Sequence, residues 1–164
     1  MKKLWSFLLF FILAFTLPAD AEVIQAGVSI DDVPQFLLGT WRVNAKLDKT
    51  NSYKTFRPQG VDFWNLSRTA DKITLNNPNS GANAEISVDA VEGNLIIFSK
   101  KTHYDNNKIL TDTVNMRIDG DKFSGINTLK LESYSLIDNH LMKTETAQYL
   151  INGEKLSGES VIDN

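Results

Sequence analysis

The chain of 164 residues contains no cysteine. This absence excludes a disulfide framework, a thiolate metal site and a cysteine nucleophile. It also excludes the lipid-modified cysteine that anchors a bacterial lipoprotein. The domain must therefore be held together by its hydrophobic core, and a chain of this length can bury about two-thirds of its unfolded surface.

Histidine is scarce as well, and no motif gathers the residue types of a catalytic site. His103 and His140 are the only histidines, and both stand beside polar turn residues. We expect them to be solvated rather than metal ligands. Acidic residues such as Asp119, Asp121 and Glu154 lie in turn sequences, and no Gly-x-Ser-x-Gly elbow or phosphate-binding glycine loop occurs. The sequence therefore predicts no enzyme, no metal site and no cofactor.

Basic charge is not in excess over the chain as a whole. The 17 Lys and Arg residues stand against 20 Asp and Glu residues, for a formal net charge of -3, and no basic stripe is present. We therefore expect no nucleic-acid partner and no attraction to an anionic membrane surface.

Only one long apolar run is present. It spans residues 4–17, follows Met1-Lys2-Lys3 and precedes Ala19-Asp20-Ala21. A membrane-spanning helix needs roughly 20 apolar residues, so we interpret residues 1–21 as a secretory signal peptide cleaved after Ala21. Its removal would leave 143 residues, with 15 basic and 19 acidic side chains. The sequence predicts export to a periplasm or the medium, and not an integral membrane protein.

The first convincing strand follows the segment Phe36-Leu37-Leu38-Gly39-Thr40-Trp41. Pro34 and the apolar residues after it predict a short turn or 3₁₀ segment, and Gly39 allows an unusual φ. From Trp41 onward apolar and polar residues alternate, which predicts a strand with one buried face. Trp41, at the first inward position, is expected to plug the end of the core.

Short alternating runs separated by turn signals fill the rest of the chain. With the first strand, the runs cover residues 41–48, 61–69, 72–76, 84–91, 94–104, 108–118, 122–134, 140–151 and 155–162. Asp119-Gly120 and Asn152-Gly153 each predict a tight hairpin between two runs. About nine strands with local connections favour an all-β, up-and-down antiparallel meander that is closed or nearly closed into a barrel. A β-sandwich or a curved open sheet is the alternative.

After the expected signal peptide, the chain divides into an N-terminal arm and one domain that contains a long loop. Residues 22–35 are interpreted as an N-terminal arm of low order, and residues 36–164 as a single barrel domain. Within the domain, residues 49–60 form a long loop that carries Tyr53 and Phe56. Such a loop is either a binding loop or a surface excursion with its aromatic side chains packed outside.

A chain of this size with a short apolar turn, Gly39-Thr40-Trp41 on its first strand, a long loop and then a meander resembles the lipocalin and calycin group of secreted barrels. The resemblance implies a closed barrel and a late basic residue packed on the Trp, for which Lys143 and Lys155 are the candidates. Two features depart from that group: Thr111-Asp112-Thr113 lacks the tyrosine of a motif that lipocalins often carry, and no helix is predicted after the barrel.

A barrel of about eight strands can hold one small apolar ligand, so the first predicted function is carriage of a lipophile. The residues predicted to line the cavity are Trp41, Val43, Phe63, Val88, Ile97, Met116, Leu129 and Tyr149. If Phe63 points inward, alternation places Trp64 on the outer wall. The alternative is a protein-interaction module of the cell envelope, such as a protease inhibitor or an assembly factor. Carriage predicts an apolar, unfilled interior, whereas a module predicts a filled core and a conspicuous outer patch or loop.

Overall fold

The computed structural model describes residues 27–70, 72–78 and 81–158. The expected signal peptide and residues 22–26 of the arm lie outside the described residues. The eight strands are β1 (Gly39–Thr50), β2 (Gln59–Arg68), β3 (Ile73–Asn76), β4 (Asn83–Glu92), β5 (Leu95–Tyr104), β6 (Lys108–Asp119), β7 (Lys122–Tyr134) and β8 (Leu141–Ser157). Each strand pairs antiparallel with the next, and β8 pairs with β1. The prediction of an all-β, closed up-and-down barrel is confirmed, with eight strands instead of about nine.

The barrel has one strand fewer than predicted because the hairpin predicted at Asn152-Gly153 is wrong. This dipeptide continues β8, a single strand of 17 residues. Gly153 lies opposite Phe123 of β7, and a Cβ at this position would come within 1.9 Å of Cε1 of the Phe123 ring. The glycine therefore makes room for an aromatic ring rather than for a turn. At the related dipeptide Asp119-Gly120 the hairpin prediction is confirmed, because β6 turns into β7 there with a positive φ of 56° at Gly120.

Interlocking aromatic rings fill the end of the barrel at which β1 begins and β8 ends, here called the closed end. Trp41 is fully buried, and its ring centroid lies 5.3 Å from that of Phe123 in an edge-on contact. Trp64 stacks on Phe123 at 5.9 Å and meets Phe98 edge-on at 6.0 Å. These rings come from β1, β2, β5 and β7, so they meet across the interior. The prediction that Trp41 plugs the core is confirmed.

The position of Trp64 corrects the predicted facing of β2. Trp64 is directly opposite Trp41 in the β1–β2 register, and paired residues share a face of the sheet. Phe63 therefore faces the outer wall, opposite the exposed Arg42. A carboxylate, Asp62, takes an inward position instead; it accepts hydrogen bonds from Trp64 Nε1 at 3.0 Å and from the backbone N–H of Phe63 at 2.9 Å.

Ile97 is the second residue whose predicted facing is wrong. Its neighbours Ile96 and Phe98 are 0% and 2% exposed and face the interior. Ile97, between them, faces the outer wall opposite Asn115, which is exposed. The run of four apolar residues here is apolar on both faces, so alternation alone did not decide which face is inside.

Residues 27–38 are the described part of the segment before β1. It contains two 3₁₀ helices, Ile30–Asp32 and Gln35–Leu37, and the second confirms the predicted short turn. Arg68, at the end of β2, donates hydrogen bonds to carbonyl oxygens of this segment at 3.2 Å. Within the described part of the chain, no helix has the length and apolar character that crossing a bilayer requires.

The same segment seals the closed end. Trp41 Nε1 donates to the carbonyl oxygen of Leu37 at 3.0 Å. Lys155 Nζ donates to the carbonyl oxygen of Phe36 at 2.9 Å and lies 5.1 Å from the centroid of the Trp41 ring, within the range of a cation–π contact. Gly39 starts β1 with a φ of 118°, which a residue with a side chain rarely adopts.

Candidate functional site

The inward-facing side chains change character toward the end of the barrel at which β1 ends and β8 begins, here called the open end. Along β1, Val43 is buried, whereas Ala45 and Leu47 are only partly buried. Leu129 and Leu131, on the inner face of β7, are partly buried as well. The interior is therefore filled at the closed end and incompletely filled at the open end.

Two of the clefts at the open end share a lining residue. The larger, of about 400 Å³, is lined by Thr55, Phe56, Tyr104, Asn106, Lys108, Leu110, Leu129 and Leu131. The smaller, of about 220 Å³, is lined by Ala45, Arg57, Gln59, Gly60, Asn127, Leu129 and Tyr149. Leu129 contributes to both, so the two clefts lie on either side of one leucine.

Residues 51–58, here called the cover loop, are fixed to β8 by a buried carboxylate. The hydroxyl groups of Ser52 and Thr55 donate to Oε1 of Glu145 at 2.5 and 2.7 Å. The Lys143 ammonium, 2.8 Å from the same oxygen, and then the two hydroxyls hold the pKa of Glu145 at about 2, well below its usual value. The carboxylate is therefore ionised, and remains an acceptor, at neutral and mildly acidic pH.

The cover loop turns one aromatic side chain inward and the other outward. Phe56 is 7% exposed and lines the larger cleft, whereas Tyr53 is 79% exposed. The Tyr149 hydroxyl donates to the carbonyl oxygen of Arg57 at 2.9 Å. Burial raises the pKa of Tyr149, so it remains a protonated donor at neutral pH. The loop is thus tied to the open end rather than extended from the surface.

The interior next to the smaller cleft also contains polar side chains that contact one another. Asp112 Oδ1 accepts a hydrogen bond from Asn127 Nδ2 at 2.5 Å, and its other carboxylate oxygen lies 3.4 Å from Lys100 Nζ. Asn127 also lines the smaller cleft and is 9% exposed. A ligand that enters this cleft therefore meets a hydrogen-bonding group as well as an apolar wall.

Each cleft also carries a cation. Lys108 lines the larger cleft and Arg57 the smaller. Neither forms an ion pair with any other residue that the structure describes. Each cleft thus combines apolar side chains with one cation that is available to an anionic group.

The structure separates the residues predicted to line one cavity. Leu129 and Tyr149 line the open-end clefts. Three are packed in the core with at most 1% exposure: Trp41, Val43 and Met116. Two face the outer wall: Phe63 and Ile97. A role for any of these residues in ligand binding stays a prediction.

Val88 lines a different cleft, of about 520 Å³, where the segment before β1 meets β3, β4 and β5. Its wall combines apolar residues such as Ile73 and Ile86 with three lysines, Lys72, Lys100 and Lys101. The structure thus brings Val88 to a site other than the one shared by Leu129 and Tyr149.

One important open-end residue, Glu145, escaped the sequence analysis. Phe56 lies in the predicted long loop, and its inward position follows from the contacts of that loop with β8. Glu145 shares the inner face of β8 with Ala147 and Tyr149, all three of which are buried. The signal available in the sequence was a charged residue at a position where alternation along β8 predicts an inward-facing side chain.

Neither histidine lines the two clefts that share Leu129, but His103 lines a further open-end cleft of about 430 Å³ together with Lys108 and Tyr134. His140 Nδ1 lies 2.6 Å from Asp138, and hydrogen bonds from Ser135 and His140 lower the pKa of that carboxyl. His103 is exposed near the end of β5. In residues 27–70, 72–78 and 81–158, no three His, Asp or Glu side chains form a group that could hold a metal ion.

A comparison with protein-family models and with curated proteins finds no match to this chain. The resemblance to the lipocalin group therefore stays an expectation, although Lys155 does pack on Trp41, as one of the two candidate basic residues. Function has to be inferred from the geometry of the open end.

Proposed function

We propose that the barrel binds one anionic amphiphile with a single aliphatic chain, such as a fatty acid, at its open end. The observation that carries the proposal is the pair of clefts that share Leu129. Each offers an apolar wall and one cation without an ionic partner among the described residues, Lys108 or Arg57. This combination is complementary to an aliphatic chain that ends in a carboxylate.

The aliphatic chain would supply most of the binding free energy. Burial of about ten methylenes at about 0.8 kcal/mol each is offset by the loss of translational and rotational freedom, which leaves binding near the micromolar range. Phe56 and Leu131 would contact the chain in the larger cleft, and the cover loop would limit its exposure to water. Inside the barrel at the closed end, the rings of Trp41 and Phe123 occupy the space that such a chain would need.

Calorimetric titration with fatty acids of increasing length tests the site. Leu129→Trp places a large side chain between the two clefts and should weaken binding at least about tenfold. Leu150→Trp is the matched control, because Leu150 lies on the outer wall of β8 and is 47% exposed. Equal affinities for the two variants, or no saturable heat with the wild-type protein, would rule out the open-end site.

The head-group assignment has its own test. The double variant Lys108→Gln/Arg57→Gln should lose the preference of the wild-type protein for a fatty acid over its methyl ester. A preference that is unchanged in this variant would show that these cations do not contact the carboxylate.

We also propose that the protein acts after export, with cleavage after Ala21. The support is the charged start, the apolar run of residues 4–17 and Ala19-Asp20-Ala21. Native mass spectrometry of protein purified gently from its own compartment should show a chain that begins at Glu22, with a bound ligand. A chain that retains residues 4–17 would contradict export, and a ligand-free mass would count against carriage.

A protein-interaction module is the second candidate, and a patch on the outer wall favours it. Val61, Ile126 and Leu150 are 63%, 40% and 47% exposed. Val61 and Leu150 also line a cleft of about 600 Å³ next to Asn44 and Lys46 of β1. A photo-crosslinker at position 61 should capture one defined partner in cells if this candidate is right. A protein that binds no ligand in the titration would make it the leading one.

A further inference from the structure

The hairpin between β7 and β8 exposes large apolar side chains at its end. Leu136 and Ile137 are 82% and 97% exposed, and Leu141 and Met142 are 49% and 66% exposed. These four residues are here called the apolar tip. Single exposed leucines are normal on soluble proteins, whereas four exposed large apolar residues at the end of one hairpin indicate a contact surface.

The apolar tip has a defined backbone, because hydrogen bonds fix the turn that carries it. Ser135, which is 8% exposed, accepts the backbone N–H of Ile137 on its hydroxyl at 3.2 Å. Its own N–H donates to the carbonyl oxygen of His140 at 2.9 Å, and its carbonyl oxygen accepts from Asn107 Nδ2 at 2.8 Å. The turn is therefore fixed to the neighbouring hairpin between β5 and β6, and Leu136 and Ile137 project from a supported base.

The tip lies at the open end of the barrel, where further exposed aromatic side chains are found. Tyr104, at the end of β5, is 47% exposed and lines the larger cleft. Tyr53, on the cover loop, is 79% exposed. Tyrosine is suited to a boundary between apolar and aqueous surroundings, because its ring is apolar and its hydroxyl is polar.

The charges around the tip favour an anionic partner. Lys54, Arg57 and Lys108 lie on the cover loop or at the start of β6, and none of them forms an ion pair with another described residue. Of the two carboxylates on the turns at this end, Asp105 and Asp138, the second is paired with His140. The net charge of the whole chain gave no reason to expect this, since a sum does not report how charges are distributed.

We infer that the open end docks on the surface of an anionic lipid bilayer. Leu136 and Ile137 enter the boundary between head groups and acyl chains, and Lys54, Arg57 and Lys108 contact lipid phosphates. This orientation places the clefts against a bilayer, into which single-chain amphiphiles partition. The inference goes beyond the proposed function and does not require it: Arg57 and Lys108 take part in both, whereas the tip and Lys54 take part only in docking.

Co-sedimentation with vesicles tests the docking. The protein is purified from its own compartment and its N-terminus is established by intact mass, so that residues 4–17 cannot account for binding. We expect binding to vesicles of phosphatidylcholine with phosphatidylglycerol, and weaker binding to phosphatidylcholine alone. Added salt should reduce the difference, because the Debye length is about 8 Å at physiological ionic strength and shortens further as salt is added.

The double variant Leu136→Ser/Ile137→Ser should bind anionic vesicles at least about tenfold more weakly. Val61→Ser/Leu150→Ser is the matched control, because it removes two exposed apolar side chains from the outer wall and should bind as the wild type does. All four positions are exposed, by 47% or more, so circular dichroism should show both variants folded.

Three outcomes would overturn the inference. The first is no sedimentation of the wild-type protein with any vesicle, and the second is equal binding by the tip variant. The third is a wild-type dimer that the tip variant abolishes, without vesicle binding, which would show that a second copy of this chain covers the tip.

Equal binding to neutral and anionic vesicles would overturn the role given to the cations. Leu129→Trp should still bind vesicles, so failure of the docking and failure of the ligand site are distinguishable.

Discussion

The two ends of the barrel use the same eight strands, but different side chains occupy them. At the closed end, Trp41, Trp64 and Phe123 pack ring against ring with centroids 5.3 and 5.9 Å apart. At the open end, Leu129 and Leu131 remain partly exposed on the same inner face of β7. A barrel of about eight strands is just wide enough for large side chains to fill, so aromatic rings close it and leucines leave it open.

The loops that connect the strands also differ in length between the two ends. At the closed end, β4 turns into β5 and β6 into β7 through two residues each. At the open end, two connections are longer: the cover loop consists of residues 51–58, and the turn between β7 and β8 consists of residues 135–140. Short turns hold the register of the strands, whereas the longer connections carry Phe56 and the apolar tip. The packed aromatic cluster and the proposed binding site therefore lie at opposite ends of one domain.

Removing the central aromatic ring gives the largest expected difference between the ends. Trp41→Ala should lower the free energy of unfolding by about 3–5 kcal/mol, because it empties a fully buried position. Leu129→Ala should lower it by only about 1 kcal/mol, since Leu129 is partly exposed beside two clefts. Equilibrium denaturation in urea measures both.

Comparable losses in the two variants would break the comparison, because they would show that the open end is as tightly packed as the closed end. An unchanged midpoint for Trp41→Ala would show that the aromatic cluster does not hold the barrel together.

One glycine at each end allows a further comparison of the two ends, with a smaller expected effect on stability. Gly153→Ala places a Cβ within 1.9 Å of the Phe123 ring and should cost about 2 kcal/mol through displacement of that ring. Gly60→Ala should change the stability by less than about 0.5 kcal/mol, because an added Cβ there meets nothing within 4 Å. Thermal unfolding of the two variants would contradict this account if Gly60→Ala proved the more harmful.

The sequence predicts the closed end well, because local patterns encode it. Alternation along β1 identifies Trp41 and Val43 as inward residues, and the turn before Gly39 is readable from its composition. Alternation fails where both faces of a strand carry apolar residues. The facing of Trp64 follows only from its pairing with Trp41, and pairing between strands is not visible in one strand.

The open end is poorly predicted, because its contacts join distant parts of the chain. Ser52 and Thr55 reach Glu145 across about 90 residues, and no local signal pairs a loop hydroxyl with a carboxylate that far away. The exposure of Leu136 and Ile137 is equally hidden, since an apolar pair within a turn predicts burial as readily as display. Function located in loops is therefore the part that sequence patterns leave open.

The smallest expected effect concerns the cover loop alone, and its pH dependence has a defined sign. The pKa of Glu145 is about 2 in the folded protein, against an ordinary value near 4.5. Its stabilising contribution is therefore complete above pH 4.5 and is lost as the pH falls from 4.5 through about 2. Glu145→Gln should remove this dependence and speed hydrogen exchange at the Phe56 amide, which donates to the carbonyl oxygen of Ser52 at 3.1 Å. The denaturation midpoint should change less than in Trp41→Ala, because the cover loop can open while the closed end stays packed.

Asp138→Asn is the matched control for the last prediction, because Asp138 also has a lowered pKa at the open end but does not contact the cover loop. Exchange at the Phe56 amide should follow the wild type in this variant and increase only in Glu145→Gln. If both variants, or neither, released the loop, the ion pair and hydroxyl contacts of Glu145 would not be what holds it. If Glu145→Gln instead lowered the midpoint as much as Trp41→Ala, the two ends would unfold as one unit, and the division between a stabilising end and a binding end would fail.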